Sequence, residues 1–300
     1  MTTNAKGTAQ KGFYLNALEQ LICVLPPLPE QRRIVDRIES LFAKLDEAQE
    51  KAQAVVDGFE TRKAAILHKA FTGALTEKWR NEHPDIASAW VTTSSKELFE
   101  YITSGSRGWA QYYSADGAVF LRMGNLDHGT IELDLSDIQH VSLPNKAEGQ
   151  RSLVQKGDIL ISITADIGMI GLVRDIDFEG YINQHVALAR PVKKESAEFI
   201  AWYLVSDCGF KQLRQMQRGA TKVGLGLDDI RSLDLEMPSL PEQREIVRIL
   251  DSLLSKEQQA HDAALAVIDR IDAMKKAVLA KAFRGELGTN EPTETPVEIQ

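Results

Sequence analysis

Three hundred residues, of which 43% are hydrophobic and 26% charged, describe an ordinary globular chain with room for about two domains. Its apolar runs are shorter than the roughly 20 residues of a membrane span, and its start lacks a signal-peptide core, so we expect a cytoplasmic protein. A net charge of −8 excludes a chain that holds nucleic acid by its own overall positive charge, although locally clustered basic residues could still read sequence.

One segment occurs twice in this chain. Residues 29–75 align without a gap to residues 241–287, and 22 of the 47 aligned positions are identical. The match continues upstream, so that residues 7–26 correspond to 219–238. We therefore divide the chain into a short tail (1–27), a first long helix (28–76), a folded block (77–238), a second long helix (239–287) and a disordered tail (288–300).

Both copies have the apolar spacing of long helices that pair with another helix. The apolar positions alternate at steps of four and three, as in a heptad seam. In the first copy they are Ile34, Ile38, Leu41, Leu45, Ala48, Ala52, Val55, Phe59 and Ile66. In the second they are Ile246, Leu250, Leu253, Ala260, Ala264, Val267, Ile271, Met274 and Val278, with Glu257 as a polar interruption.

The ends of the two predicted helices also match. Pro29 and Pro241 suit the first helical position, and Gly73 and Gly285 suit a left-handed residue after the last turn. Each helix should run for about 40 residues, or ~60 Å. The two copies could pair antiparallel within one chain, or copy to copy in a homodimer.

The block between the helices has short β-rich runs separated by turns, without regular strand–helix alternation, which indicates an α+β fold. The expected strands are 118–123, 158–164, 171–173 and 186–190, and 199–217 is an expected helix.

Signatures of catalysis do not occur in this sequence. There is no methyltransferase Asn/Asp-Pro-Pro-aromatic loop and no phosphate-binding loop, and the six histidines, Cys23 and Cys208 form no metal-ligand pattern. Asp158 with Lys156 and Asp166 could be taken for a nuclease site, but a turn that enters a buried strand explains these residues better. We therefore expect no enzymatic activity in this chain.

Polar and basic side chains instead lie at turns and strand ends of the block, where a rigid framework presents contacts. The candidates for DNA contact are Ser104, Ser106, Arg107, Arg122, Asn125, Ser162, Thr164, Gln184, His185, Arg218, Thr221 and Lys222. Arg122 and Asn125 are of the types that read guanine and adenine, whereas Arg107, Arg218 and Lys222 suit phosphates. For each residue alone, a solvated surface position is the alternative.

Several motifs resemble those of the specificity subunits of type I restriction-modification enzymes. The opening LPPLPEQRRIV at 25–35, repeated as MPSLPEQREIV at 237–247, is that family's most recognisable signature. The runs FLRMGNLDHG at 120–129 and LVQKGDILIS at 153–162 resemble its strand motifs, and residues 218–243 resemble its exit into the helix. The resemblance covers residues 7–287.

The resemblance implies a mixed target-recognition domain joined to two long antiparallel coiled-coil helices. It also implies a non-catalytic subunit that reads half of a bipartite site in double-stranded DNA. Methyltransferase subunits on the coil and a restriction and translocase subunit would carry S-adenosylmethionine, ATP and magnesium.

The chain departs from the family pattern in one respect, because only residues 7–26 correspond to a first recognition domain. This departure leaves an alternative open: a coiled-coil adaptor, or a dominant-negative fragment, that occupies methyltransferase subunits without reading DNA.

Overall fold

The computed structural model describes residues 25–143, 149–174, 177–217, 224–291 and 293. The chain divides into two compact units. The helical unit takes the residues up to 57 and from 261 onward, and the sheet unit takes residues 58–260. Among the described residues, no helix has an apolar stretch long enough to cross a bilayer.

Helices and strands mix along the described chain, which confirms the α+β class. The helices are α1 (Leu28–Asp57), α2 (Phe59–Phe71), α3 (Glu77–Glu82), α4 (Ser95–Leu98), α5 (Ala197–Val205), α6 (Asp207–Gln215), α7 (Leu227–Arg231) and α8 (Leu240–Phe283). The strands are β1 (Val91–Ser94), β2 (Phe99–Ser104), β3 (Tyr113–Ser114), β4 (Ala118–Leu121), β5 (Gln139–Val141), β6 (Ile159–Ser162), β7 (Ile170–Leu172), β8 (Gly180–Ile182), β9 (Val186–Pro191) and β10 (Asp234–Met237).

The two copies of the repeat begin in the same way. The Gln31 side chain donates to the carbonyl of Pro26 at 2.8 Å, and Gln243 donates to the carbonyl of Pro238 at 2.8 Å. Each bond ties the helix start to the chain that enters it, which explains why the motif has a glutamine after Pro-Glu. Gly73 (φ 76°) and Gly285 (φ 69°) are left-handed, as predicted for residues that close a helix.

The first long helix is not continuous, contrary to our expectation. It breaks at Gly58, which separates α1 from α2, whereas α8 runs unbroken through the corresponding Arg270. Glycine is about 1 kcal/mol less favourable than alanine inside a helix, which makes position 58 the weak point of the first copy.

Helices α1 and α8 run antiparallel in the helical unit, as predicted. Lys275 bonds to Asp46 at 2.6 Å and to Gln49 at 2.8 Å, and the Arg33 guanidinium donates to the Thr289 carbonyl at 2.9 Å. Residue numbers therefore rise along α1 as they fall along α8.

The predicted seam is wrong in the middle of both copies. Ala48, Ala260, Val267 and Met274 are exposed, whereas Gln49, His261, Ile268 and Lys275, each one residue later, are half-buried. An α-helix turns every 3.6 residues rather than 3.5, so the inward-facing row drifts from a strict heptad.

The sheet unit is built from two four-stranded sheets, with strand orders β2-β9-β6-β7 and β3-β5-β4-β8, and a separate β1-β10 pair. Successive residues of each strand alternate between the two faces of its sheet. Ile159 and Ile161 of β6 point into the core that includes Phe71 and α5, whereas Leu160 packs with Val119 and Leu121 of the second sheet. Both faces of β6 are therefore buried, as its unbroken apolar run predicts.

The four strands expected in the block are confirmed. Two of them, β4 and β6, are shorter than expected, β7 is shifted by one residue, and β9 is one residue longer, whereas β1, β2, β3, β5, β8 and β10 are not among the expected strands. The helix expected over 199–217 is two helices that meet at Ser206, whose backbone is extended (φ −66°, ψ 162°) and whose hydroxyl donates to the Tyr203 carbonyl at 2.6 Å. A serine followed by aspartate is a common helix start, so this break could have been predicted.

Equivalent residues of the two copies have different surroundings. Phe71 is 4% exposed and packs edge-on against Phe199 and Tyr203, with ring centroids 5.3 and 5.4 Å apart. Its counterpart Phe283 is 90% exposed. The same sequence therefore supplies core in the sheet unit and surface in the helical unit.

We expect Phe71→Ala to lower the free energy of unfolding by about 3–5 kcal/mol, because it removes a buried aromatic side chain from a packed core. Phe283→Ala is the matched control and should stay within about 0.5 kcal/mol of the wild type. Denaturant unfolding of the two variants measures both values, and equal losses would contradict the difference in burial.

Candidate nucleic-acid interface

Five strand ends of the sheet unit meet at the turn Asn183–His185, which joins β8 to β9. Ser104 at the end of β2 pairs with Ala187, and Ser162 at the end of β6 pairs with Val186. Leu121 at the end of β4 pairs with Ile182 in parallel β8. The residues that follow β2, β4 and β6 are therefore brought to one edge.

Backbone hydrogen bonds hold this edge together. The Asn183 amide donates to Leu121, the Gly105 amide to Asn183 and the Ile163 amide to His185, at 3.0, 3.2 and 3.0 Å. A side chain at Gly105 would place its Cβ 2.0 Å from the Ile182 carbonyl oxygen. Only glycine lets the 104–108 turn approach the β8–β9 turn this closely.

Side chains of the β8–β9 turn form a fixed polar row. The Gln184 amide donates to His185 Nε2 at 2.8 Å, so Nδ1 carries the proton and donates to the Thr164 hydroxyl at 2.7 Å. All three residues are only partly buried.

A second series of contacts runs from the buried Asp158 to the 104–108 turn. Asp158 is fully buried and receives two bonds from Arg190, at 2.7 and 2.8 Å. That pairing raises the pKa of the Arg190 guanidinium, against the opposing effect of burial. Arg190 lies over the Tyr101 ring, and the Tyr101 hydroxyl donates to the Arg151 carbonyl at 3.0 Å.

This series of contacts ends at Ser106, one of the candidate DNA contacts, because the Arg151 guanidinium bonds to the Ser106 hydroxyl at 3.3 Å. Asp158 therefore has a structural role, which removes the nuclease interpretation. Groups of three or more metal-ligating side chains do not occur in the described ranges.

Arg122 leaves β4 at the same edge. Its Nη2 contacts Asp137 at 3.3 Å, and its Nε is enclosed without an acceptor within the described chain. The backbone amide of Arg122 donates to the Asn125 side chain at 2.9 Å.

Two of the predicted contact residues are structural instead. Asn125 is buried, and its amide nitrogen donates to the carbonyls of Asp134 and Asp137 at 2.8 and 3.1 Å. Ser162 is also buried, and its hydroxyl accepts the Met169 amide at 2.9 Å. Because both side chains are buried and bonded to backbone groups, we withdraw Asn125 as a base-reading residue and Ser162 as a DNA contact.

The remaining candidates keep a surface position where the structure describes them. Ser104, Ser106, Thr164, Gln184 and His185 are partly exposed at the shared edge. Arg107 is exposed two residues beyond Gly105. The predicted contacts at Arg218, Thr221 and Lys222 lie outside the described residues.

Sequence reasoning missed Arg151. Its guanidinium reaches the 104–108 turn from a separate short turn, Gln150–Ser152. Gly149 and Ser152 near Arg151 are a signal of the kind that marked Arg107, but the contact with Ser106 across 45 residues is visible only in the fold.

The edge therefore combines three arginines, Arg107, Arg122 and Arg151, with hydroxyl, amide and imidazole groups. Guanidinium groups bind phosphates and the guanine edge, and the neutral groups can donate to or accept from any base. A small row of mixed donors and acceptors on a rigid sheet is suited to reading a duplex.

Comparison with known proteins decides the family. Residues 88–268 match the model of the type I restriction modification DNA specificity domain. The chain belongs to this family.

Among its relatives, the EcoBI specificity subunit of Escherichia coli is 26% identical over 315 positions, which cover 99% of this chain and 65% of that protein. The EcoKI specificity subunit of Escherichia coli strain K12 is 25% identical, over 91% of this chain and 59% of that protein. The chain thus spans about 60% of the length of the curated relatives that it matches.

Solved structures show the same fold. A structure described as the HsdS subunit from Thermoanaerobacter tengcongensis superimposes with a TM-score of 0.64 at 23% identity, over 95% of this chain and 67% of that chain. A chain from a study of the assembly and conformational transition of a type I restriction-modification system reaches 0.69 at 22% identity, over 94% and 66%.

We expect Gly105→Ala to cost about 1–3 kcal/mol of stability, because the added methyl group overlaps the backbone of the β8–β9 turn. Gly124→Ala is the control, since a Cβ there meets no atom within 4 Å. Melting curves of both variants provide the test. A Gly105→Ala protein that melts with the wild type would mean that the turns have room to separate.

Proposed function

We propose that this chain is a non-catalytic DNA-recognition subunit of a type I restriction-modification complex. It reads one half of a bipartite site with the edge around the β8–β9 turn. Membership of the specificity-domain family supports the class of function. We assign the reading surface to this edge because several polar and basic side chains converge on it: Ser106, Arg107, Arg122, Gln184 and His185.

The negative net charge of the chain indicates that other subunits contribute to DNA binding. With a net charge of −8, the chain gains little from general attraction to the phosphate backbone. We propose that methyltransferase subunits supply most phosphate contacts and hold S-adenosylmethionine, and that a restriction and translocase subunit supplies ATP and magnesium chemistry.

The long helices are the proposed attachment surface for the methyltransferase subunits. The described part of α8 exposes Leu265, Val267, Met274, Leu279 and Phe283, each by more than a third of its surface. Large apolar side chains exposed along one helix favour a protein partner.

The test of DNA reading is selection from a randomised duplex pool. The tagged chain, purified from its source cells with its bound subunits, is mixed with the pool, and the bound duplexes are sequenced. Enrichment of a defined half-site supports the proposal. Recovery of duplexes without any preferred sequence would instead support a coiled-coil adaptor that binds methyltransferase subunits without reading DNA.

Base-reading and phosphate-binding residues should differ in this assay. Arg122→Ala should lose about 1–3 kcal/mol of discrimination at one base pair and leave the others unchanged. Arg107→Ala is the comparison and should weaken all duplexes alike and flatten the salt dependence. Binding to single-base variants of the site at two salt concentrations separates the two patterns. A uniform loss from Arg122→Ala would reject its base-reading role.

The attachment surface has its own test. Val267→Asp with Met274→Asp should release the methyltransferase subunits without lowering the melting temperature, because both side chains are already exposed. Ala273→Asp should retain them, because this exposed position of α8 has none of the large exposed apolar side chains three or four residues before or after it. Co-purification of the subunits with each variant is the measurement, and equal retention by all variants would place attachment elsewhere.

A further inference from the structure

Asp137 is an acidic side chain in direct contact with a proposed DNA-reading arginine. It is 93% exposed and contacts Arg122 Nη2 at 3.3 Å. A carboxylate at a DNA-binding edge opposes phosphate binding, since like charges repel. Affinity for DNA therefore does not explain why an aspartate lies beside Arg122.

The contact between these two residues is prepared by the fold. The buried Asn125 amide accepts the Arg122 backbone amide through its oxygen and donates to the Asp134 and Asp137 carbonyls through its nitrogen. One side chain thus fixes the backbone at Arg122 and at Asp137 together. The guanidinium and the carboxylate therefore extend from two backbone segments that Asn125 holds at a fixed separation.

The remaining guanidinium atoms limit what Arg122 can do. Nε is enclosed, so it cannot take part in a contact from outside. Asp137 occupies one direction of Nη2. The outward donors are the terminal nitrogens, and paired guanidinium donors match the O6 and N7 acceptors of guanine in the major groove.

We infer that Asp137 is a specificity-determining residue that positions Arg122 to read guanine. This inference rests on the proposed DNA-reading function. The carboxylate restricts the rotation of the guanidinium and offsets its charge. Arg122 is then a weak ligand for phosphates at any sequence but retains its hydrogen-bond donors for one base pair.

The substitution that tests this inference is Asp137→Asn, which removes the charge and keeps the size of the side chain. In the purified complex, binding to the selected duplex and its single-base variants is measured at low and high salt. Discrimination at the Arg122 base pair should fall about fivefold or more, the range expected for loss of one oriented arginine contact. Binding to unrelated duplexes should rise, most at low salt, because Arg122 gains an uncompensated charge.

Two controls separate positioning from net charge. Asp116→Asn removes one exposed charge in the turn before β4 and should leave discrimination at that base pair unchanged. In an Arg122→Ala background, Asp137→Asn should have no further effect on discrimination. Asp137→Ala serves as a second variant should the asparagine supply a substitute hydrogen bond.

The outcomes distinguish this inference from the function on which it rests. If the wild-type complex enriches no sequence, the proposed function fails and the inference fails with it. If the wild type reads a half-site but Asp137→Asn and Asp137→Ala discriminate as it does, only the inference is overturned. A loss that persists at full size without Arg122 would also overturn it.

Discussion

The buried carboxylate of Glu242 is the contact on which the sheet unit depends. It lies in the first turn of α8 and accepts bonds from Thr76, Arg80 and Trp90 at 2.7, 2.6 and 3.2 Å. The helix amino terminus favours a negative charge at this position. Removal of Arg80 would leave the buried carboxylate without its partner charge, which costs about 3–5 kcal/mol.

This contact joins the two ends of the folded block. Thr76 and Arg80 follow α2, Trp90 precedes β1, and Glu242 follows β10, which pairs with β1 in antiparallel register. The entry and the exit of the block are therefore held side by side.

Much of the framework could be predicted from the repeat, because a helix start, a closing glycine and a run of apolar residues act locally. The Pro-Glu-Gln opening and the left-handed Gly73 and Gly285 are of this kind. The environment of the repeat could not be predicted, since burial depends on what packs against it. Phe71 and Phe283 lie in similar local sequences, LHKAFTGAL and LAKAFRGEL, and their exposure is 4% and 90%.

The candidate interface divides in the same way. Glycines and strand ends mark the turns from which contacts arise, so residues such as Arg107 and Arg122 could be found. The sequence does not indicate which polar side chains at those turns are needed for structure. Asn125 and Ser162 bond to backbone groups seven or more residues away, in another part of the sequence or across a hairpin. Short polar side chains at strand ends commonly satisfy the backbone, and that competing role outweighs ligand contact when the residue is buried.

An acidic chain is compatible with sequence reading when affinity and discrimination come from different molecules. Phosphate contacts dominate non-specific binding, so a subunit rich in them would hold every duplex. An arginine paired with an aspartate contributes little charge but still presents directed donors. Discrimination is a difference between two binding free energies, and it grows when binding to the wrong sequence is kept weak. In the proposed reading, Arg122 beside Asp137 meets that condition, whereas Arg107, which has no acidic partner among the residues that the structure describes, would favour all sequences alike.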